Sequence, residues 1–528
     1  MEFMKNIGKL FFVLFCACSF SLATTAQGIT EVKRVNGQMR LLKDGKPLLM
    51  LAGELHNSTS STSFSLNKAM RSVKSMGLNT LIVSVSWEQI EPQENAYDFS
   101  CVDHIIAAAD SFSMPLVLIW FGTWKNGESS YPPVWVKSDT RRFFRAENAE
   151  GVPTNTISPF CEEACRADAR ALAKLMAYIR ENDRHHWVEV VQVENEMGVF
   201  LDRDYSPAAN AAYKGEANEE FMAKAYARYV NKVAQAGKRE LNLPMYINCW
   251  LPDGAKTGAY PLGGPSPELL KIYKKYAPAI DFVSPDLYAD DFRGYCAKYN
   301  TPDNLLFIPE TQRKAGLAYY ALGEANAQCY SPFAVEDVYN DPYFLGEYRT
   351  LGELLPTIAL LQGTGKMHGF VRQKGDKPND STSFVIDKVR FVAHYIAGER
   401  FAHGIVAQVA PDEYICAGVG AWITVDDATG KSATRPTIGF AEEVERKQGV
   451  WHTRVVLNGD QTYNHRLLYL RGRMPNEPYQ ENGFNVPAPL TDVSYQRMSW
   501  PEWQNRFKVS GIYRIKLYDG PKIVKAHP

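Results

Sequence analysis

Two glutamates stand directly after apolar runs that read as strands. Glu196 follows Val190-Val191-Gln192-Val193 by two residues, and Glu310 follows Leu305-Leu306-Phe307-Ile308 across a single proline. Cleavage of a glycosidic bond needs two carboxyl groups flanking that bond. One must be protonated to assist the departing oxygen, and the other ionised to attack the anomeric carbon or to activate water. Enzymes that retain configuration hold the pair about 5–5.5 Å apart. A buried carboxylate with neither partner nor role is costly, which weighs against a purely structural Glu196 or Glu310. Glu194 alternates with Asn195 and is expected to point the other way along the strand.

These residues need a frame that brings distant strand ends together. Between residues 45 and 370, short apolar runs alternate with helical patterns. The runs are 47–55, 80–85, 116–121, 188–193, 245–249, 280–285, 305–308 and 325–329. The first helix carries Leu66, Ala69, Met70, Val73 and Met76 on one face, with Gly77 as its stop. Further helices are expected around 102–109, 164–179, 221–236 (stopped by Gly237), 267–276 (capped by Ser266), 292–299, 314–322 and 348–361. Eight strand-then-helix units indicate an α/β fold, a (β/α)8 TIM barrel. An open doubly wound sheet is the rival. It would carry a glycine-rich phosphate turn after its first strand, where this chain has Gly53-Glu54-Leu55-His56-Asn57. Gly363-Thr364-Gly365-Lys366 lacks the rest of a phosphate loop. After residue 370 the pattern shifts to short alternating segments, 384–396, 413–425 and 511–518, with a turn at Asn458-Gly459-Asp460. An all-β, sandwich-like C-terminal domain is expected. The domains read as 1–26, an export signal; 27–370, the barrel; and 371–528, the β domain.

A barrel of this kind places its active site at the C-terminal ends of its strands. The candidates there are His56 and Asn57, then Trp87 and Glu88, then Trp120, Trp124, Lys125 and Asn126. Asn195 and Glu196 follow on the fourth strand, Asn248 and Trp250 on the fifth, Asp286 and Tyr288 on the sixth, Glu310 on the seventh, and Ser331 on the eighth. Each tryptophan serves rim packing as readily as substrate contact. Asp286 equally suits fixing a loop, and His56 a satisfied core position. His185-His186 reads as surface.

The remaining composition narrows the class. Apolar residues make up 45% and charged residues 22%, an ordinary globular balance. The net charge is −1 and no segment concentrates lysine or arginine, so the electrostatic footprint of a nucleic-acid binder is absent. Lys5 and Lys9, the apolar run 10–22 and Ala23-Thr24-Thr25-Ala26 form the three parts of a secretory signal. The expected location is secreted or periplasmic, with lipid attachment at Cys18 ranked second. No segment has the length and apolarity of a membrane span. Seven cysteines follow the signal, an odd and scattered set that reads as buried thiols. Cys161 and Cys165 lack the further ligands of a metal site. No cofactor is implied, and the expected partner is a carbohydrate substrate. The oligomeric state is unreadable.

The motif Gln192-Val193-Glu194-Asn195-Glu196 resembles the strand-four motif of glycoside hydrolase family 35, the β-galactosidases. Trp87-Glu88-Gln89-Ile90-Glu91-Pro92 with Tyr97-Asp98-Phe99 is similar to that family's second-strand region. The resemblance implies that Glu196 is the acid/base, that Asn195 meets the sugar 2-hydroxyl, and that Glu310 is the nucleophile. It also implies that Tyr288 hydrogen-bonds that nucleophile. The animal-type members carry Cys-Ala-Glu-Trp after strand three, where this chain has Gly122-Thr123-Trp124-Lys125-Asn126. Gly53-Glu54-Leu55-His56-Asn57-Ser58 and Trp124-Lys125-Asn126-Gly127 resemble instead a bacterial branch, as do Val456-Leu457-Asn458-Gly459-Asp460 and Tyr513-Arg514-Ile515-Lys516-Leu517-Tyr518. That branch includes β-galactosidases acting on xyloglucan side chains. A retaining, exo-acting β-galactosidase of plant glycans is the expectation. The alternatives are an α-L-arabinopyranosidase or β-glucosidase, and last a non-catalytic glycan-binding protein.

Overall fold

A computed structural model describes residues 28–35, 37–432, 434–472 and 508–521. The segment read as an export signal, Cys18 included, lies outside the described residues.

Eight parallel strands close into a barrel. They are β1 (Met50–Glu54), β2 (Thr80–Ser86), β3 (Leu116–Lys125), β4 (Val188–Asn195), β5 (Met245–Trp250), β6 (Phe282–Leu287), β7 (Phe307–Thr311) and β8 (Cys329–Pro332). Each runs in sequence order beside the next, and β8 returns to β1. The principal helices between and after them are α1 (Ser63–Val73), α2 (Ser100–Phe112), α3 (Glu162–Asn182), α4 (Asn218–Glu240), α5 (Leu270–Tyr276), α6 (Phe292–Tyr299), α7 (Leu317–Gly323) and α8 (Pro342–Leu361). The strands alternate as pleated backbone requires. Val117, Ile119 and Phe121 of β3 face the barrel interior with Met50, Ala52, Ile82, Tyr246 and Phe282. Leu116, Leu118 and Trp120 face the helices. Leu41, from a three-stranded antiparallel sheet of residues 31–47, joins the interior cluster.

Two expected boundaries are corrected. Gly237 does not stop α4, which continues to Glu240. A Cβ there would meet Met245 Cε at 2.9 Å, so the glycine serves close helix–strand packing. The eighth strand is Cys329–Pro332 rather than 325–329. Ala325 and Ala327 are buried, but their N–H groups donate back to Tyr320 and Ala321 on α7.

The C-terminal unit is two antiparallel sheets. Its strands are β9 (Met367–Val371), β10 (Ser381–Ile386), β11 (Val389–Tyr395), β12 (His403–Ala410), β13 (Glu413–Val419), β14 (Ala421–Asp427), β15 (Thr434–Lys447), β16 (Val450–Val456), β17 (Leu467–Leu470) and β18 (Gly511–Pro521). One sheet runs β9-β12-β13-β18-β15-β16 and the other β10-β11-β14-β17. Phe370, Phe391, Tyr414, Ile423, Leu468 and Ile515 fill the layer between them. The run 384–396 resolves into a hairpin turning at Asp387, which has φ 53°. β9 pairs with β12 from Met367 to Val371.

Barrel and β unit meet through a buried polar knot. Glu347 of α8 accepts from Tyr319 Oη at 2.6 Å and from the Ser510 N–H at 2.9 Å. His403 Nε2 lies 3.3 Å from Glu347 and 3.2 Å from Ser510 Oγ. All seven described cysteines are free and buried. Among the described residues no helix is long and apolar enough to cross a membrane.

Candidate active site

The C-terminal mouth of the barrel holds a cavity of about 420 Å³, within the roughly 300–1,000 Å³ of small-molecule sites. It is lined by strand ends and loops from β3 to β7, including Asn126, Glu196, Trp250, Asp286, Tyr288 and Glu310.

Strand parity explains most of this set. Interior positions on β5 run Tyr246, Asn248, Trp250, and on β6 Phe282, Ser284, Asp286, so the last polar member of each reaches the mouth. On β1 the same parity runs Met50, Ala52, Glu54. On β3 the register shifts between Trp120 and Lys125, and Thr123 turns outward to Asp168 of α3. β4 departs from the alternation as well. Glu194 has φ 65° and Glu196 φ 46°, a left-handed conformation uncommon for residues other than glycine and concentrated at functional sites. This kink reverses the alternation. Glu194 turns outward, where its Oε2 accepts the Trp124 N–H at 2.7 Å. Asn195 turns inward, accepting from Gln192 Nε2 and Asn248 Nδ2, each at 3.0 Å.

Glu196 is held from both sides. Its N–H donates to Asn248 Oδ1 at 2.8 Å, and its carbonyl accepts the Gly127 N–H at 2.9 Å. Asn248 Nδ2 also donates to Asp286 Oδ2 at 2.7 Å. Asn195 Nδ2 reaches Asn126 Oδ1 at 3.2 Å, and Lys125 Nζ donates to the same oxygen at 2.7 Å. Across the pocket, Tyr288 Oη donates to Glu310 Oε1 at 2.7 Å. Asp286 and Glu310 are register partners on β6 and β7.

Four carboxyl groups therefore share one low-dielectric mouth. Burial, then the neighbouring Glu310 charge, pushes Glu196 up to about 7. Burial also raises Glu310, but the Lys125 ammonium and the Tyr288 hydroxyl oppose the rise. Burial and the charge of Glu310 push Glu54 and Asp286 well above the usual carboxylate range. Two carboxyls in one pocket, one of them holding its proton near neutrality, are what an acid and its partner require.

Not every expected residue reaches this pocket. Trp87 and Trp124 are fully buried. Trp87 Nε1 donates to Glu91, and Trp124 packs on Tyr226 and Tyr229 with its Nε1 on the Ile157 carbonyl. Trp120 Nε1 donates to Asp168 of α3, so both Trp120 and Trp124 face the helix layer as core residues. Glu88 is ion-paired with Lys137. His56 contacts Asp337 and lies edge-on to Phe333, and the Asn57 carbonyl accepts from Ser84 Oγ. None of these three lines the pocket. The cluster members absent from the expected substrate contacts are Lys125, Glu54 and Asp286, of which strand parity marks Glu54 and Asp286. Among the described residues no group of His, Cys, Asp and Glu is arranged to hold a metal.

A family model described as Glycosyl hydrolases family 35 matches residues 40–304, half of the 528-residue chain. The chain belongs to this family. The matched region contains Asn195, Glu196, Asn248, Asp286 and Tyr288, and Glu310 follows just beyond it. A second model, Domain of unknown function (DUF5597), matches residues 344–468, from α8 into the β unit. Among solved structures, the chain is similar to the β-galactosidase of Bacillus circulans sp. alkalophilus, with TM-score 0.46, 15% identity, and 61% of this chain and 58% of that one covered. For the β-galactosidase of Rahnella sp. R3 the values are 0.44, 16%, 60% and 58%. For the β-amylase catalytic domain of Paenibacillus polymyxa they are 0.42, 11%, 53% and 91%. The chain thus spans 58% of the length of each β-galactosidase structure. No curated protein matches it.

Proposed function

We propose that this chain is a retaining, exo-acting β-galactosidase that removes terminal β-galactosyl residues from plant oligo- or polysaccharides such as xyloglucan side chains. The observation that carries the proposal is the carboxyl pair in one pocket: Glu196, pushed up to about 7, and Glu310, which accepts from Tyr288 Oη at 2.7 Å.

Each residue has a part in the two-step chemistry. The Glu310 carboxylate attacks the anomeric carbon while Glu196 gives its proton to the departing glycosidic oxygen. The bond to the leaving sugar breaks as the bond to Glu310 forms. Glu196, now ionised, takes a proton from water, and the resulting hydroxide displaces Glu310 from the anomeric carbon. Asn195, fixed by Gln192 and Asn248, is the proposed partner of the sugar 2-hydroxyl. Exo action rests, like the sugar preference, on the resemblance to the family. The galactose preference and the plant substrate rest on the resemblance of the strand-four motif and of the bacterial-branch segments. The N-terminal three-part signal supports export to the periplasm or beyond.

The test is a panel of p-nitrophenyl glycosides with wild type, Glu196→Ala and Glu310→Ala. Release from the β-galactoside, lost in Glu310→Ala and restored by azide, supports the proposal. Azide occupies the space of the missing carboxylate and attacks in its place. Cleavage of only an α-L-arabinopyranoside or a β-glucoside would keep the catalytic pair and discard galactose. Inactivity on the panel and on plant oligosaccharides would favour a glycan-binding role.

A further inference from the structure

Four tryptophans near the barrel mouth divide sharply. Trp87, Trp120 and Trp124 are fully buried and their indole N–H groups donate to Glu91, Asp168 and the Ile157 carbonyl. Trp250 is 40% exposed, lines the pocket, and has no acceptor for its N–H among the described residues. Burying that much indole against solvent-free protein would be favourable, so an open ring at a pocket wall is informative. Phe200, itself 37% exposed, stands edge-to-face on it at 6.1 Å between centroids and 84° between planes. Phe200 in turn rests on the turn that carries Asn126. Gly127 there has φ 71°, and a Cβ at that position would meet the Phe200 ring at 2.7 Å. The two rings therefore form a braced corner. Beyond it, the exposed Asp253 also lines the pocket.

Strand order sets the corner beside Glu196: β5 adjoins β4, and β7, which carries Glu310, lies two strands further on. Trp250 lies two residues past Asn248, whose amide oxygen takes the Glu196 N–H. Phe200 lies four residues past Glu196 on the same chain segment. Glu310 and Tyr288 form the other wall. An acid protonates the oxygen of the departing group, so what lies beyond Glu196 contacts that group and not the sugar under attack.

We infer that Trp250, braced by Phe200, is the stacking platform for a pyranose on the leaving side of the scissile bond, with Asp253 placed to accept from its hydroxyls. This inference rests on Glu196 being the acid. The leaving group is then a sugar ring with an apolar face, and Trp250 selects glycan substrates over glycosides of small alcohols.

The test compares two substrates of the glycone that the panel identifies: its β-glycosyl fluoride, whose leaving group is one atom, and its β-linked disaccharide. The reading is the ratio of kcat/KM for disaccharide to that for fluoride in wild type, Trp250→Ala, Trp250→Phe and Phe200→Ala. Burying one aromatic face corresponds to a fall in that ratio of roughly 10- to 100-fold for Trp250→Ala. A smaller fall is expected for Phe200→Ala, and most of the ratio should return in Trp250→Phe. The ratio corrects for any loss of folded enzyme. An unchanged ratio in Trp250→Ala, whether both activities fall or neither does, overturns the inference. Wild type that cleaves neither substrate would instead overturn the reading of the catalytic pair, and this inference with it.

Discussion

The chain contains two buried carboxylate clusters built on opposite terms. At the interface of barrel and β unit, Glu347 is fully buried and meets Tyr319 Oη, the Ser510 N–H and His403. At the barrel mouth, Glu54, Glu196 and Asp286 are as deeply placed, yet they face one another and Glu310 across a site with the Lys125 ammonium nearby. Asp286 Oδ1, Ser284 Oγ, Ser331 Oγ and Tyr246 Oη have no hydrogen-bond partner among the described residues. Buried polar groups are normally satisfied. The first cluster follows that rule and joins two domains. The second departs from it, and its cost is the local sign of a site kept ready for substrate.

The sharpest test of this contrast is the sign of a substitution. Glu347→Ala leaves the Ser510 N–H and the Tyr319 hydroxyl without their buried acceptor. It should lower stability by about 3–5 kcal/mol, measured by denaturant unfolding. A loss under about 1 kcal/mol, the value of an exposed pair, would erase the distinction. Glu196→Gln should do the reverse. The folded-state value near 7 lies above the ordinary 4.5, so the folded protein holds this proton more tightly than the unfolded chain. The group's stabilising share is complete below pH 4.5 and is lost as pH rises through about 7. Glu196→Gln should therefore be more stable than wild type by on the order of 2–3 kcal/mol at pH 8, with the gain vanishing near pH 4.5. Equal unfolding midpoints at both pH values would contradict the like-charge account.

Much of this was legible in the sequence, and the failures are instructive. The eight strand–helix units show because fully buried parallel strands read as continuous apolar runs. Glu196 and Glu310 show because each ends such a run. Residue type at a strand end, however, does not say which way a side chain points. Trp124 reads as a site residue by type and is a core residue by its contacts with Tyr226 and Tyr229. Glu54, inside the first apolar run, reaches the site by parity, whereas Lys125 reaches it across a register shift on β3 that the sequence does not show. The kink at Glu194 has no signature that a single sequence reveals, because positive φ at glutamate is imposed by the surrounding contacts and not by propensity. The Glu347–His403–Ser510 knot joins residues 163 positions apart, beyond any local pattern.

A finer prediction concerns coupling within the mouth. The Glu310 charge is the second cause of the raised Glu196 value, after burial. Glu310→Gln should therefore lower it, as read by carbon-13 NMR of labelled glutamate. An unchanged value would assign the whole shift to burial and decouple the pair.

The most direct test of the central claim is to trap the first step. A 2-deoxy-2-fluoro glycosyl fluoride of the preferred sugar should inactivate the enzyme with time, because the fluorine slows hydrolysis of the covalent intermediate more than its formation. Peptide mass mapping should then place a single sugar on Glu310, and Glu310→Gln should remain unlabelled. Labelling at another residue, or wild-type turnover that inverts the anomeric carbon without labelling, would contradict the account.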